Sequence, residues 1–125
     1  MNIIILDDMM GSAIAFSNKK ASVLLNNLIK NRHSGISFAI LAQSVKSVQK
    51  SVRANCNLFF IGKFASKKIV LQDMYEQVSN VLTEEQFEEL YEYCIKDNQY
   101  GSLIVDCSHT TKRFFNGLEG ELLMK

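Results

Sequence analysis

The stretch Ile3-Ile4-Ile5-Leu6-Asp7-Asp8 decides the predicted fold of this chain of 125 residues. Its four consecutive apolar residues predict a β-strand that is buried on both faces, as in a parallel sheet. Two adjacent carboxylates follow, and open α/β sheets bind their ligands at the carboxyl ends of the strands. The stretch therefore predicts a parallel sheet with acidic groups at its ligand-binding edge.

Two later apolar runs, residues 36–42 and 58–61, predict further strands of the same sheet. Between the strands, the spacing of leucines predicts a helix over residues 18–31, ended by Gly35 as its C′ residue, and a short polar helix is predicted around residues 45–53. Alternating strands and helices with short connections are typical of a parallel α/β sheet with right-handed crossovers.

The chain beyond residue 65 predicts a different arrangement. One amphipathic helix carries apolar residues from Leu71 to Val78, and Thr83-Glu84-Glu85-Gln86 has the form of a capping box that begins another. Residues 103–105 and 113–115 flank a turn-rich segment and predict a β-hairpin. The predicted class is thus α/β, a mainly parallel sheet flanked by helices, with a carboxy-terminal helix and hairpin.

Composition excludes several classes of protein. The chain is 47% hydrophobic and 22% charged, which favours a globular core over disorder. No apolar stretch is long enough to span a membrane, and no signal peptide is visible. Cys56, Cys94 and Cys107 form no C-x-x-C pair, so their spacing indicates reduced thiols in an intracellular compartment rather than a zinc site or disulfide framework.

The charge is divided along the chain. Residues 1–70 hold ten Lys or Arg and two Asp or Glu, whereas residues 71–125 hold four Lys or Arg and eleven Asp or Glu. The net charges of the two parts are therefore +8 and −7. This division predicts either a basic face that meets phosphate groups or two halves that neutralise one another.

Several motifs in order resemble the core of the FtsK–HerA superfamily of DNA-pumping ATPases. They are Ser34-Gly35-Ile36, Leu41-Ala42-Gln43, Val52-Arg53-Ala54-Asn55 and Ser66-Lys67-Lys68. Three further features, Asn31-Arg32-His33, Gln43-Ser44 and the Leu6-Asp7-Asp8 ending, are most similar to genome-packaging ATPases of large DNA viruses, the poxvirus-like group. The likeness spans roughly residues 2–75.

The resemblance implies a partial RecA-like P-loop NTPase core and a role for each of several residues. Asp7, at the end of a Walker B strand, would bind Mg²⁺, and Asp8 would orient or deprotonate the attacking water. Gln43, at the end of the sensor strand, would contact the γ-phosphate of ATP. Arg32, or alternatively Arg53, would be an arginine finger supplied to a neighbouring subunit.

Each of these residues also has a plainer interpretation. Asp8 is a shorter acid than the Glu of many relatives and suits a cap on the following segment. Gln43 suits a strand-end residue bound to backbone, and either arginine suits a solvated surface. Four lysines could contact DNA phosphates, although exposed lysines are usually only solvated: Lys46, Lys50, Lys67 and Lys68.

The function that the resemblance implies is ATP-driven packaging of double-stranded DNA into viral capsids by a homo-oligomeric ring. The expected cofactors are ATP and Mg²⁺. The expected location is the host cytoplasm (a viral factory) or the virion, with a capsid or membrane-associated assembly site as partner. The implied site is catalytic Asp8, Gln43 and Arg32, nucleotide-binding Asp7 and Gln43, and metal-binding Asp7.

The phosphate-binding motif G-x-x-x-x-G-K-[ST] does not occur in the sequence. Residues 1–125 therefore predict a single partial ATPase domain without its P-loop half, inactive alone and prone to self-association at the unpaired sheet edge. Two rivals stay open. One is a non-catalytic interaction or regulatory remnant of such an ATPase, and the other is a different FtsK–HerA-type DNA pump.

Overall fold

The computed structural model describes residues 2–7, 26, 27, 30, 33 and 35–123. The chain divides into two compact units, Met1–Asn55 (unit 1) and Cys56–Lys125 (unit 2). The described residues form a mixed α/β structure with one parallel pair of strands and one antiparallel sheet.

Unit 1 contains a parallel pair of strands, β1 (Asn2–Asp7) and β2 (Ile36–Leu41). The pairing runs in register from Asn2 opposite Ile36 to Asp7 opposite Leu41. Two parallel strands require a crossover connection, and this pairing confirms the parallel relationship predicted from the two apolar runs. The carboxyl ends of β1 and β2 consequently lie at the same edge of the sheet.

The prediction that β1 is buried on both faces is wrong. Ile3 is 61% and Ile5 65% exposed, and Ile4 is exposed as well. Among the described residues β1 has β2 as its one strand neighbour, and a sheet of two strands has few side chains with which to cover an apolar face. Within the described part of the chain, β1 thus has one edge without a strand partner, and its isoleucine side chains are exposed.

The chain after β2 forms two short helical segments. A 3-10 helix spans Val45–Ser47, and α1 spans Lys50–Ala54. The polar helix predicted around residues 45–53 is thus confirmed, although the structure interrupts it. Gly35 has φ 65°, the left-handed conformation that a C′ glycine adopts. Most of the predicted helix over residues 18–31 lies outside the described residues.

Unit 2 contains a four-stranded antiparallel sheet. Its order is β3-β4-β5-β6, formed by Leu58–Ile61, Leu103–Asp106, Arg113–Asn116 and Gly120–Leu122. The predicted hairpin is confirmed as β4 and β5. Gly117, with φ 52°, lies in the turn that leads to the third strand of this meander, β6, which the sequence analysis does not predict.

The prediction that residues 58–61 extend the parallel sheet is wrong. Strand β3 pairs with β4 antiparallel, with Leu58 opposite Asp106 and Ile61 opposite Leu103. A short apolar run is compatible with a parallel or an antiparallel sheet, so the strand with which it pairs determines which of the two forms. Here the partner is β4 from later in the chain, whose first three residues are buried. The mainly parallel sheet of the predicted class is therefore not what the described residues form.

Two longer helices lie in the chain between β3 and β4. Helix α2 (Lys67–Met74) continues into a 3-10 helix, Tyr75–Gln77, and α3 spans Glu84–Ile95. The capping box of α3 is confirmed, because the Gln86 amide donates to Thr83 Oγ1 at 3.2 Å while the Thr83 amide donates to Gln86 Oε1 at 2.9 Å. These bonds satisfy two amides that the first turn of a helix leaves without partners.

The core of unit 2 forms between α2, α3 and the sheet. Its members are apolar and buried, and they are Ile61, Val70, Leu71, Met74, Val78, Leu82, Phe87, Tyr91, Cys94, Leu103, Ile104, Val105 and Phe114. The Tyr91 hydroxyl donates to the Gly62 carbonyl at 3.0 Å and accepts from the Phe64 amide at 3.2 Å. These two hydrogen bonds therefore hold the segment after β3 against α3. In the described part of the chain, no helix is long and apolar enough to cross a membrane.

Candidate functional site

Asp7 is the last residue of β1 and is exposed to solvent. It lies opposite Leu41, the last residue of β2, in the parallel ladder. Its carboxylate is therefore at the carboxyl edge of the pair, the edge at which open α/β sheets bind ligands. This is the edge at which the sequence analysis predicts it.

Gln43 lies two residues beyond the end of β2 and is also exposed. Because β1 and β2 are parallel and Leu41 is level with Asp7, the chain leaves β2 toward Gln43 at the same edge. An exposed amide side chain offers both a hydrogen-bond donor and an acceptor. The structure thus brings two of the predicted site residues to one end of one strand pair.

Arg53, the alternative arginine finger, has a different role in the structure. Its Nη1 atom donates to the carbonyl of Val45 at 2.9 Å and to the carbonyl of Val48 at 2.7 Å. Its Nε atom is buried and has no hydrogen-bond partner. The side chain is thus committed to the backbone of the turn that follows Gln43, which is inconsistent with an arginine that reaches a neighbouring subunit. Sequence reasoning missed this contact, since nothing in the residue pattern distinguishes a backbone-bound arginine from a solvated one.

Asp8 and Arg32, the predicted catalytic base and the preferred arginine finger, lie outside the described residues. Their roles stay predictions. Of the four lysines that could contact DNA phosphates, Lys46, Lys50 and Lys68 are exposed. Lys67 instead forms ion pairs with Glu88 and Glu92 of α3, so its charge is used within unit 2.

The donor set at the β1–β2 edge fits one kind of metal binding. The described residues contain no group of three or more His, Cys, Asp or Glu that could enclose a metal ion. Magnesium seldom needs such an enclosure, because it is usually bound through one or two carboxylates with waters and substrate phosphates. An exposed carboxylate such as Asp7 fits this mode of binding, in which Mg²⁺ arrives with a nucleotide.

Among the described residues, the resolved pKa shifts lie in unit 2. Burial raises the pKa of the Cys94 thiol to about 11, and burial also raises the pKa values of the Cys56 and Cys107 thiols. Hydrogen bonds from Ser108 lower the pKa of Asp106. A raised pKa makes a thiol less reactive, which is typical of structural rather than nucleophilic cysteines.

Comparison with known proteins gives no match. No protein-family model matches the chain, and neither a curated protein nor a solved structure is similar to it at a significant level.

Proposed function

We propose that this chain is the carboxy-terminal part of an ATP-driven DNA translocase of the FtsK–HerA type, one that packages viral DNA into capsids. The observation that supports the proposal best is the shared edge of β1 and β2, where Asp7 ends one strand and Gln43 follows the other. The resemblance described above supplies the class of motor, and hydrolysis requires the chain to act with a phosphate-binding half.

In this proposal each of the predicted site residues has its own role in ATP hydrolysis. Asp7 would hold Mg²⁺, which would supply positive charge to offset that of the phosphate groups. Gln43 contacts the γ-phosphate through its amide, which can donate to a phosphate oxygen and accept from a water. Asp8 orients the attacking water, and Arg32 stabilises charge at the site of a neighbouring subunit in a ring.

The test is ATP hydrolysis by the complete gene product, including its P-loop half. Asp8→Asn should lower kcat by about a hundredfold or more, as removal of a general base does, and Asp7→Ala should also lower it, because Mg²⁺ would lose its protein ligand. Gln43→Ala should lower it by a comparable factor, as loss of one aligned donor does. Asn2→Ala, an exposed position at the opposite end of β1, is the matched control and should retain the wild-type rate.

Wild-type rates in all three site variants would contradict the proposal. If Asn2→Ala loses as much activity as the three site variants, the losses result from unfolding of unit 1 rather than from removal of the site side chains. DNA-stimulated hydrolysis separates a translocase from an ATPase with another task, since a translocase should hydrolyse ATP faster when double-stranded DNA is added.

A second candidate function is a non-catalytic interaction module derived from such an ATPase. The four-stranded antiparallel sheet of unit 2 favours it, because a RecA-like parallel core does not require that sheet. This candidate predicts that the complete gene product binds no nucleotide. Titration of a fluorescent ATP analogue with Mg²⁺ distinguishes the two functions.

A further inference from the structure

We propose that Arg53 is a positioning residue, which holds the turn after β2 so that Gln43 stays at the carboxyl edge of the β1–β2 pair. This inference rests on the proposed function for the role of Gln43. Its structural part is independent of that function, because it follows from contacts within unit 1.

Two hydrogen bonds carry the proposal. Nη1 of Arg53 donates to the carbonyls of Val45 and Val48, at 2.9 Å and 2.7 Å. These carbonyls belong to the first residue of the 3-10 helix Val45–Ser47 and to the residue that follows the helix. One charged group thus holds both ends of the turn that begins two residues after Gln43.

Other contacts in this turn are apolar burial and local hydrogen bonds. Val45 is buried, and Val52, which precedes Arg53 in α1, is 3% exposed. The Ser47 hydroxyl donates to the Ser44 carbonyl at 2.6 Å, and the Ser47 amide donates to the same carbonyl at 3.2 Å. Bonds of this local kind are weak in a short 3-10 segment. A buried side chain and a charged donor from α1 therefore supply the anchor.

The guanidinium suits this task for two physical reasons. A hydrogen bond from a charged donor is about twice as strong as one between neutral groups. A guanidinium also carries several N–H donors, so one side chain can donate to two carbonyls at once. The buried Nε without a partner is a cost, which the two charged bonds offset.

The structural part is tested in this chain by amide hydrogen exchange. Arg53→Met keeps the apolar stem and removes the donors, and Lys46→Met, at an exposed position of the 3-10 helix, is the control that also removes one positive charge. The Ser47 and Val48 amides should exchange at least about tenfold faster in Arg53→Met, because loss of about 1.4 kcal/mol of local stability corresponds to tenfold in opening. They should be unchanged in Lys46→Met.

Arg53→Lys is a second variant that keeps a positive donor on a shorter stem. It should restore part of the protection, which would show that the donor and not the side-chain volume matters. Exchange rates in Arg53→Met equal to those of the wild type would overturn the proposal. Uniformly faster exchange throughout β1 and β2 would also overturn it, since the effect would then be loss of the unit rather than of the turn.

The positioning part is tested by kinetics of the complete gene product. Arg53→Met should lower kcat toward the Gln43→Ala value and leave the KM for ATP nearly unchanged. The double variant should be no slower than Gln43→Ala alone, because Arg53 acts through Gln43.

The outcomes separate this inference from the proposed function. A wild-type kcat for Gln43→Ala would remove the role of Gln43 and with it the positioning role of Arg53, while impaired Asp7→Ala and Asp8→Asn variants would leave the rest of the proposed function standing. An impaired Gln43→Ala together with a wild-type kcat for Arg53→Met would overturn the positioning role and leave the proposed function standing. An additive fall in the double variant would likewise contradict action through Gln43.

Discussion

Asp7 and Leu41 face one another across the parallel β1–β2 ladder, as the last residues of their strands. This pairing places Asp7 at the sheet edge from which the chain continues to Gln43, although thirty-five residues separate the two in the sequence. A shift of register by a few residues would leave either side chain short of the edge. The register, rather than either residue alone, therefore supports the proposed nucleotide site.

Gly101 lies where no larger residue fits. A Cβ atom on it would be 2.1 Å from the Cys94 carbonyl oxygen and 3.0 Å from that of Asn98. Both are backbone atoms at the end of α3 or just beyond it, so they cannot move aside without distorting the helix end. We expect Gly101→Ala to lower the free energy of unfolding by about 1–3 kcal/mol, as overpacking does.

Gly120→Ala is the matched control for that change, since a Cβ at Gly120 meets no heavy atom within 4 Å. Urea unfolding followed by circular dichroism measures both variants. The same midpoint for Gly101→Ala as for Gly120→Ala would contradict the close approach of Gly101 to the end of α3.

The Tyr91 hydroxyl is the second place where a single atom should matter. It bonds both the Gly62 carbonyl and the Phe64 amide, while its ring is fully buried. Tyr91→Phe keeps the ring and leaves two backbone groups without their partner, which should destabilise unit 2 by about 1–3 kcal/mol. Tyr93→Phe, on the exposed side of α3, should change the unfolding midpoint little. Equal midpoints for the two variants would show that the hydroxyl contacts are unimportant.

Asp106 should titrate at unusually low pH. The Ser108 hydroxyl and amide both donate to its Oδ1 atom, and these hydrogen bonds lower its pKa. The pKa of Asp106 in the folded state lies below its value in the unfolded state. The ionised carboxylate therefore stabilises the fold above the unfolded pKa, and this stabilisation is lost as pH falls through the folded pKa.

Replacing Ser108 by Ala should therefore raise the pKa of Asp106 toward the ordinary aspartate range. Its carboxyl carbon, followed by NMR between neutral and strongly acidic pH, reports the change. Thr111→Ala, in the same exposed turn between β4 and β5, should leave the titration where it is. An Asp106 curve that Ser108→Ala does not move would refute this explanation of the low pKa.

Local chemistry made several parts of the fold predictable. The Thr83 and Gln86 side chains fix the start of α3 by contacts within four residues, and the turn between β4 and β5 joins strands that are close in sequence. The parallel pairing of β1 with β2 followed from their continuous apolar runs. Each of these features is indicated either by residues that lie close together in the sequence or by a run of apolar residues that is typical of a β-strand.

Other features that depend on distant partners were predicted wrongly or not at all. The sequence of β3 is compatible with pairing to either β2 or β4. Its partner in the structure is β4, whose paired residues lie more than forty positions away. The exposure of Ile3 and Ile5 depends on what else covers β1. Likewise, the Arg53 contacts arise from the path of the backbone after Gln43, which composition and spacing do not specify.

The central claim is that Asp7 and Gln43 share one nucleotide site at the carboxyl edge of β1 and β2. Paramagnetic Mn²⁺, substituted for Mg²⁺ with a nonhydrolysable ATP analogue, broadens NMR signals of nearby nuclei in the complete gene product. Asn2 and Gly35 mark the opposite end of the same strand pair, about 20 Å away for strands of this length, and are internal controls. The account predicts strong broadening at Asp7 and Gln43 and much weaker broadening at Asn2 and Gly35. Equal broadening at both ends, or none at Asp7 and Gln43, would contradict it.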